Sequence, residues 1–338
     1  MRLVLSLFAA TTLAGCATTP QVASLPAVSV TASGETEPVG TSNADAADDP
    51  AIWRNRADPS QSLIVGTDKK AGLYVYGLDG KRRGFVAAGL VNNVDLVDLG
   101  TAGVIVGASD RNDLANAAIQ IFRLDTTTGA LTLLGRGPAG AGEGYGFCMA
   151  QVGSRLLAYS PLKSGTITET QIELASEPKF TLLRTMKVAT QPEGCVVDPR
   201  DGTLYVGEEV RGIWRFSPGT SEGQLVASAD GKQLVADVEG LALLPQGENS
   251  GWLVASSQGD NAFVLYRLPD MSPAGRFRIG KDVFGATEET DGIELAGGDF
   301  GPDYPAGLFV AQDGDNRPHA QNFKLVSWRA ILQAAGNR

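Results

Sequence analysis

The chain has 338 residues, a net charge of −10 from 28 basic and 38 acidic side chains, 43% hydrophobic residues, 42 glycines and one histidine. That length and apolar fraction are ample for a buried core, and a mean hydropathy of −0.03 leaves no long polar tract to stay disordered. The acidic balance argues against a nucleic-acid partner, and a single His excludes a multi-histidine zinc cage or any mechanism built on several histidines.

The first segment reads as an address. Arg2 precedes an apolar run, Leu3 to Ala14, too short to span a bilayer as a mature helix. It ends in Leu13-Ala14-Gly15-Cys16, which looks like a bacterial lipoprotein signal with Cys16 as the lipidated residue; an ordinary signal peptide with an incidental Cys is the alternative. The expected division is a signal peptide over 1–15, a tether over 16–24 and one folded unit over 25–338. Removing residues 1–15 takes away only Arg2 and leaves the mature chain at −11. On this reading the protein works outside the cytoplasm, as a monomer held to the bacterial envelope only by its lipid.

Beyond this point, short β-branched runs punctuated by Gly, Asp and Asn predict an all-β chain. A repeat organises them. An oxygen-bearing residue, usually followed by Gly, opens an apolar strand at Asp49, Asn93, Tyr145, Glu193, Glu239 and Asp291, at intervals of 44, 52, 48, 46 and 52 residues. A second strand follows each, as in Leu63-Ile64-Val65-Gly66 and Leu204-Tyr205-Val206-Gly207. A third follows that, as in Leu73-Tyr74-Val75-Tyr76 and Ile213-Trp214-Arg215-Phe216. Weaker fourth strands lie near Phe180–Arg184 and Gly275–Ile279. Six such units predict a six-bladed β-propeller; the competing fold, a pair of β-sandwiches, would not keep one register six times. The last unit lacks a fourth strand, and Ala27-Val28-Ser29-Val30-Thr31 is expected to supply it, pairing chain start with chain end.

In a propeller the first strand of each blade lines the central channel, so the six register residues should ring one mouth. Asp48, Asp95, Glu143 and Asp237 thicken the ring. Carboxylates this close repel unless protons or cations intervene, and hard oxygen donors without His or Cys select Ca²⁺ or Mg²⁺, a wide flexible ring suiting Ca²⁺. Loops leaving the second strands reach the same face. They are basic in blades one to three (Lys69, Lys70, Arg111, Lys163) and acidic or neutral in blades four to six (Glu208-Glu209, Gln258, Asp313 to Asn316). Cations beside a metal-binding mouth suggest an anionic ligand gripped by both. Cys148 and Cys195 could form a disulfide outside the cytoplasm, but they fall at opposite parities of the strand register, which points to two buried free thiols.

Several strings carry a resemblance: Asp45-Ala46-Ala47-Asp48-Asp49-Pro50-Ala51-Ile52-Trp53, Lys69-Lys70-Ala71-Gly72-Leu73, Asn92-Asn93-Val94-Asp95, Ala255-Ser256-Ser257-Gln258-Gly259 and Phe309-Val310-Ala311-Gln312-Asp313-Gly314. From about Glu37 to Trp328 the chain resembles the β-propeller phytases. The resemblance implies a six-bladed propeller that uses several Ca²⁺ ions to hydrolyse phytate, myo-inositol hexakisphosphate. By motif, Asp48, Asp49, Tyr145, Glu193, Glu208, Asp237, Glu239 and Gln258 resemble ligands of the catalytic calcium cluster. Asn93, Asp95, Asp291, Asp315 and Asn316 resemble ligands of structural calcium sites, and Lys69, Lys70, Arg111, Lys163 and Tyr145 the phosphate grip. Tyr145, Glu193, Lys69 and Arg111 form the candidate catalytic set. Val210-Arg211 follows Glu208-Glu209 where the family pattern leads one to expect another acidic residue.

Without a suitable His, Ser or Cys nucleophile, the expected chemistry is direct attack on phosphorus by a calcium-held water, with the basic residues neutralising the non-bridging oxygens. The rival readings are a calcium-dependent propeller lactonase or esterase, to which the lone His319 is poorly suited, and a non-catalytic anion binder.

Overall fold

Apolar runs of strand length separated by Gly-, Asp- and Asn-rich turns fold here as antiparallel meanders. The computed structural model describes residues 23–42 and 45–336, so the expected signal segment and Cys16 lie outside the described residues. Six sheets follow one another around a channel. Their inner strands are Ala47–Trp53, Val91–Asp98, Cys148–Val152, Pro192–Val197, Val238–Gln246 and Ile293–Gly297. From each of the first five inner strands the chain steps outward through two strands to a fourth, including Lys179–Lys187 and Ser272–Gly280, where the sequence carries only weak signals. The expected six-bladed propeller is the observed architecture. No helix among the described residues is long and apolar enough to cross a membrane.

The ring closes through the chain start, but with a different segment from the one expected. Gly34–Glu35 pairs antiparallel with Asn322–Ser327 as the edge strand of blade six. Val28–Thr31 instead runs parallel to the edge of blade five, Val28 opposite Phe277 and Thr31 opposite Gly280. Its alternation explains the choice. Val30 drops into the core between blades five and six with Phe277 and Ile279, and the strand covers an open sheet edge. Trp328, Ile331 and Ala335 of the helix Trp328–Ala335 seal the same core.

Six apolar clusters, one for each pair of neighbouring blades, form the core. In blade three, Phe147 and Met149 face blade two, whereas Cys148 and Ala150 face blade four. Cys148 is joined to Cys195 by a disulfide, with Cα atoms 5.7 Å apart, which corrects the expectation of free thiols. Side chains of opposite parity diverge within one sheet, but neighbouring blades pack face to face. One face of blade three meets the opposite face of blade four, so opposite parity is the condition for a bridge between them.

Candidate active site at the channel mouth

The inner strands enter the channel from the mouth, and four of them are bulged where they do so. Register shifts fall between Ala47 and Pro50, Val91 and Val94, Pro192 and Cys195, and Val238 and Leu241. The extra residues are Asp48-Asp49, Asn92-Asn93, Glu193-Gly194 and Glu239-Gly240. A bulge breaks the alternation and re-aims a side chain, here into the mouth. The glycines of the repeat have a separate cause. The Gly240 amide donates to the Asp291 carbonyl at 2.8 Å, and a Cβ on Gly240 would lie 2.6 Å from that oxygen. Gly146, Gly194 and Gly292 press in the same way on the backbone of the next inner strand. The recurrent glycine is therefore where one blade touches the next around the channel.

Three carboxylates converge. Glu193, Glu209 and Glu239 each present an oxygen, all within 4.8 Å of one another, and Glu239 Oε2 is buried with no hydrogen-bond partner. Beside them the Lys69 ammonium lies 2.8 Å from Asp48 Oδ2 and 3.1 Å from Asp291 Oδ2, and also meets Asp45. Gln258 Nε2 donates to the other Asp291 oxygen at 2.7 Å. Burial and then the Asp48 charge raise the Glu193 carboxyl to about 7. Burial, with Glu193 alongside, pushes Glu239 well above the carboxylate range. Burial also raises Asp48 and Asp291, with Lys69 working against it in both. Burial opposes the Lys69 charge, yet Asp48, Asp291 and Glu193 outweigh it and hold its pKa above the ordinary lysine value. Burial and the neighbouring Glu193, Glu239 and Asp48 keep the Tyr145 phenol protonated.

The basic side is tied to the acidic side by a residue outside the expected set. Asn92, fully buried, donates from Nδ2 to Glu193 Oε1 at 2.6 Å and accepts from Arg111 Nη1 at 2.6 Å on Oδ1. It also approaches Asp48 Oδ1 at 3.4 Å, so one amide links blades one, two and four. Its position inside the Asn92-Asn93 pair was the available signal. Arg111 and Lys163 both lie over the Tyr145 ring, and Lys70 stands on the rim, half exposed.

Other expected residues fall elsewhere. Glu208 does not join the carboxylates: it is fully buried and accepts from Thr190 N, Thr190 Oγ1 and Trp214 Nε1 at 2.5, 2.6 and 2.7 Å. As the last residue of a strand it keeps the alternation and points between blades, while Glu209 begins the turn and swings to the mouth. Asp237 borders Glu209, since Val238 N donates to the Glu209 carbonyl at 2.9 Å. Asp49, Asn93 and Asp95 form a deeper group with Glu294, which sequence reasoning missed, around a channel cavity of about 20 Å³. Burial raises Asp95 to about 7 and, with Asp95 beside it, pushes Glu294 well above its ordinary value. Asp291 belongs with Lys69 and Gln258 rather than with this group. Asp315 and Asn316 lie in a separate loop of blade six. Asp315 pairs with Arg317, and the buried Lys324 ammonium lies 3.2 Å from Asn316 Oδ1 and 3.1 Å from Asp313.

The donor chemistry separates these places. The Glu193, Glu209 and Glu239 oxygens, one of them orphaned, suit a hard divalent cation, and no His or Cys competes. The Asp315–Asn316 loop fits a metal poorly because cations of the chain already serve its oxygens. At this propeller mouth an all-oxygen acidic wall faces lysine and arginine. The family model described as Phytase matches residues 2–338. A relative, the 3-phytase of Bacillus subtilis (strain 168), is 38% identical over 330 residues, covering 91% of this chain and 85% of the relative. The chain belongs to the phytase family, and with this fold to its β-propeller branch.

Proposed function

We propose that the protein is a calcium-dependent phytase that hydrolyses phosphomonoesters of myo-inositol hexakisphosphate. The observation that carries the reading is the juxtaposition in one mouth of Lys69, Arg111 and Lys163 with Glu193, Glu209 and Glu239. Calcium held by these glutamates, with Asp48 and Asp237 beside them, would supply positive charge for phosphate oxygens and Lewis-acid activation of water. The chain itself does the positioning. Arg111 offers a fork for two phosphate oxygens, and Lys69 and Lys163 add point charges on either side of it. Asn92 fixes the distance between that fork and Glu193. The protonated Tyr145 phenol donates a hydrogen bond and carries the two cations on its ring. Neither Cys148 nor Cys195 is a thiol nucleophile, because each is bonded to the other. Their disulfide also supports an oxidising, extracytoplasmic setting, with lipidation at Cys16 and a monomeric state as further parts of the proposal.

The test is phosphate release from phytate by purified residues 25–338, chelated and then resupplied with Ca²⁺. Calcium-restored release is expected. Full turnover by the chelated protein would remove calcium from the reading, and no release under either condition would remove phytate.

A further inference from the structure

The two cations that reach the mouth from blades two and three already hold an anion of the chain. Glu143 Oε1 is ion-paired with Arg111 Nη2 and lies 3.2 Å from Lys163 Nζ. The same guanidinium and ammonium lie 5.8 and 4.7 Å from the centre of the Tyr145 ring, two residues along the chain from Glu143. One carboxylate oxygen thus bridges two cations on one aromatic ring. Arg111 and Glu143 keep only 20% and 24% of their side-chain surface exposed, so the contact is sheltered enough to matter. A carboxylate oxygen on an arginine fork occupies the place that a non-bridging phosphate oxygen takes. Glu143 is not among the three convergent glutamates, and its ion pairs among the described residues are with Arg111 and Lys163.

We propose that Glu143 is the internal counter-ion of the phosphate grip and sets how weakly that grip holds a single phosphate. Without substrate it holds Arg111 and Lys163 together; a phosphate group must displace it to bind. Displacement costs every ligand the same ion pairs. A ring carrying several phosphates stays bound in spite of that common cost because it has other contacts, whereas a single inorganic phosphate has none and is left weakly held. The returning carboxylate therefore lowers both affinities by one factor, which a ring held by several phosphates tolerates and a single released phosphate does not. The inference rests on the phytase reading for its substrate, but its test does not require turnover.

The decisive variant is Glu143→Gln, which keeps size and removes charge. Calorimetric titration with inorganic phosphate should show binding about fivefold to tenfold tighter than in the parent, the scale of one partly exposed charge pair. KM for phytate should fall by a similar factor. Glu143→Asp, which keeps the charge, should restore weak phosphate binding. Unchanged or weaker phosphate binding by a Glu143→Gln protein that melts like the parent would overturn the proposal, as would equally tight binding by Glu143→Asp. A chain that binds phosphate as described but leaves phytate intact refutes the phytase reading and not the counter-ion.

Discussion

Glu208 and Glu209 are adjacent, alike in chemistry and opposite in role, and the contrast yields a sharp pair of variants. Glu209→Gln removes one of three convergent carboxylates, so calcium binding by titration should weaken about tenfold or more while the melting temperature of the chelated protein holds or rises, since a buried like-charge repulsion is relieved. Glu208→Gln instead weakens charge-assisted bonds from Thr190 and Trp214. It should cost on the order of 1–3 kcal/mol of stability and leave calcium affinity near the parent value. Equal calcium affinities in the two variants would return Glu208 to the metal group. Asn92 offers a second check. Asn92→Ala strips the partner from both Arg111 and Glu193 in a fully buried place. A drop in kcat/KM on the order of a hundredfold is expected, because two groups of the site lose their shared reference point. Calcium and phosphate binding measured separately should both weaken. A loss confined to one of them would show that Asn92 does not couple the two walls.

At the scale of strands and blades, the repeat was legible because its cause is repetitive. Each blade sets an oxygen-bearing residue at the mouth, four of the six follow it with a glycine where the next blade touches, and the strands nearest the channel are apolar runs buried on both faces. What stayed illegible depends on how neighbouring units meet. The bulges at Asp48-Asp49 and Asn92-Asn93 appear only when the inner strand is laid against its partner, which is why Asn92 was passed over in favour of Asn93. Parity within one sheet concealed the disulfide, since its two ends belong to different blades. The swing of Glu209 begins one residue past a strand end, where alternation ceases to be a guide. The disulfide itself makes a prediction. It joins inner strands that carry Tyr145 and Glu193 just upstream of each cysteine, closing a separation of 47 residues. Replacing both cysteines by serine should therefore destabilise the chain by roughly 3–4 kcal/mol, readable as a lower midpoint in urea. A midpoint within error of the parent would mean that the packing of blades three and four holds this contact without the bond.

For the molecule as a whole, the mouth and the channel behind it concentrate carboxyls whose protons are hard to remove. Glu193 and Asp95 are raised to about 7, and Asp49, Glu239, Asp291 and Glu294 are raised as well, burial being the first cause in each. Between the unfolded value of Glu193, 4.5, and its folded value near 7, the native chain holds a proton that the unfolded chain has lost. Stability must then fall as pH rises through that window, by roughly 3 kcal/mol for a shift of this size in a fully buried group. The other titrating groups do not reverse the sign. Asp79, Asp110 and Asp260 have lowered values, so the stability they contribute is lost only as pH falls below the ordinary aspartate range. Lys69 is raised, and its contribution is lost only at alkaline pH. The chelated protein should accordingly melt lower at pH 8 than at pH 5.5. Added calcium should raise the melting temperature far more at pH 8 than at pH 5.5, because at the lower pH it must first displace protons. Calcium added near pH 6 in weak buffer should release protons in measurable number. A chelated protein whose melting temperature climbs steadily from pH 5.5 to 8 would mean that these carboxyls ionise freely in the folded state. The mouth would then need no cation to be stable at neutral pH, and calcium, where it binds, would serve the phosphate rather than the fold.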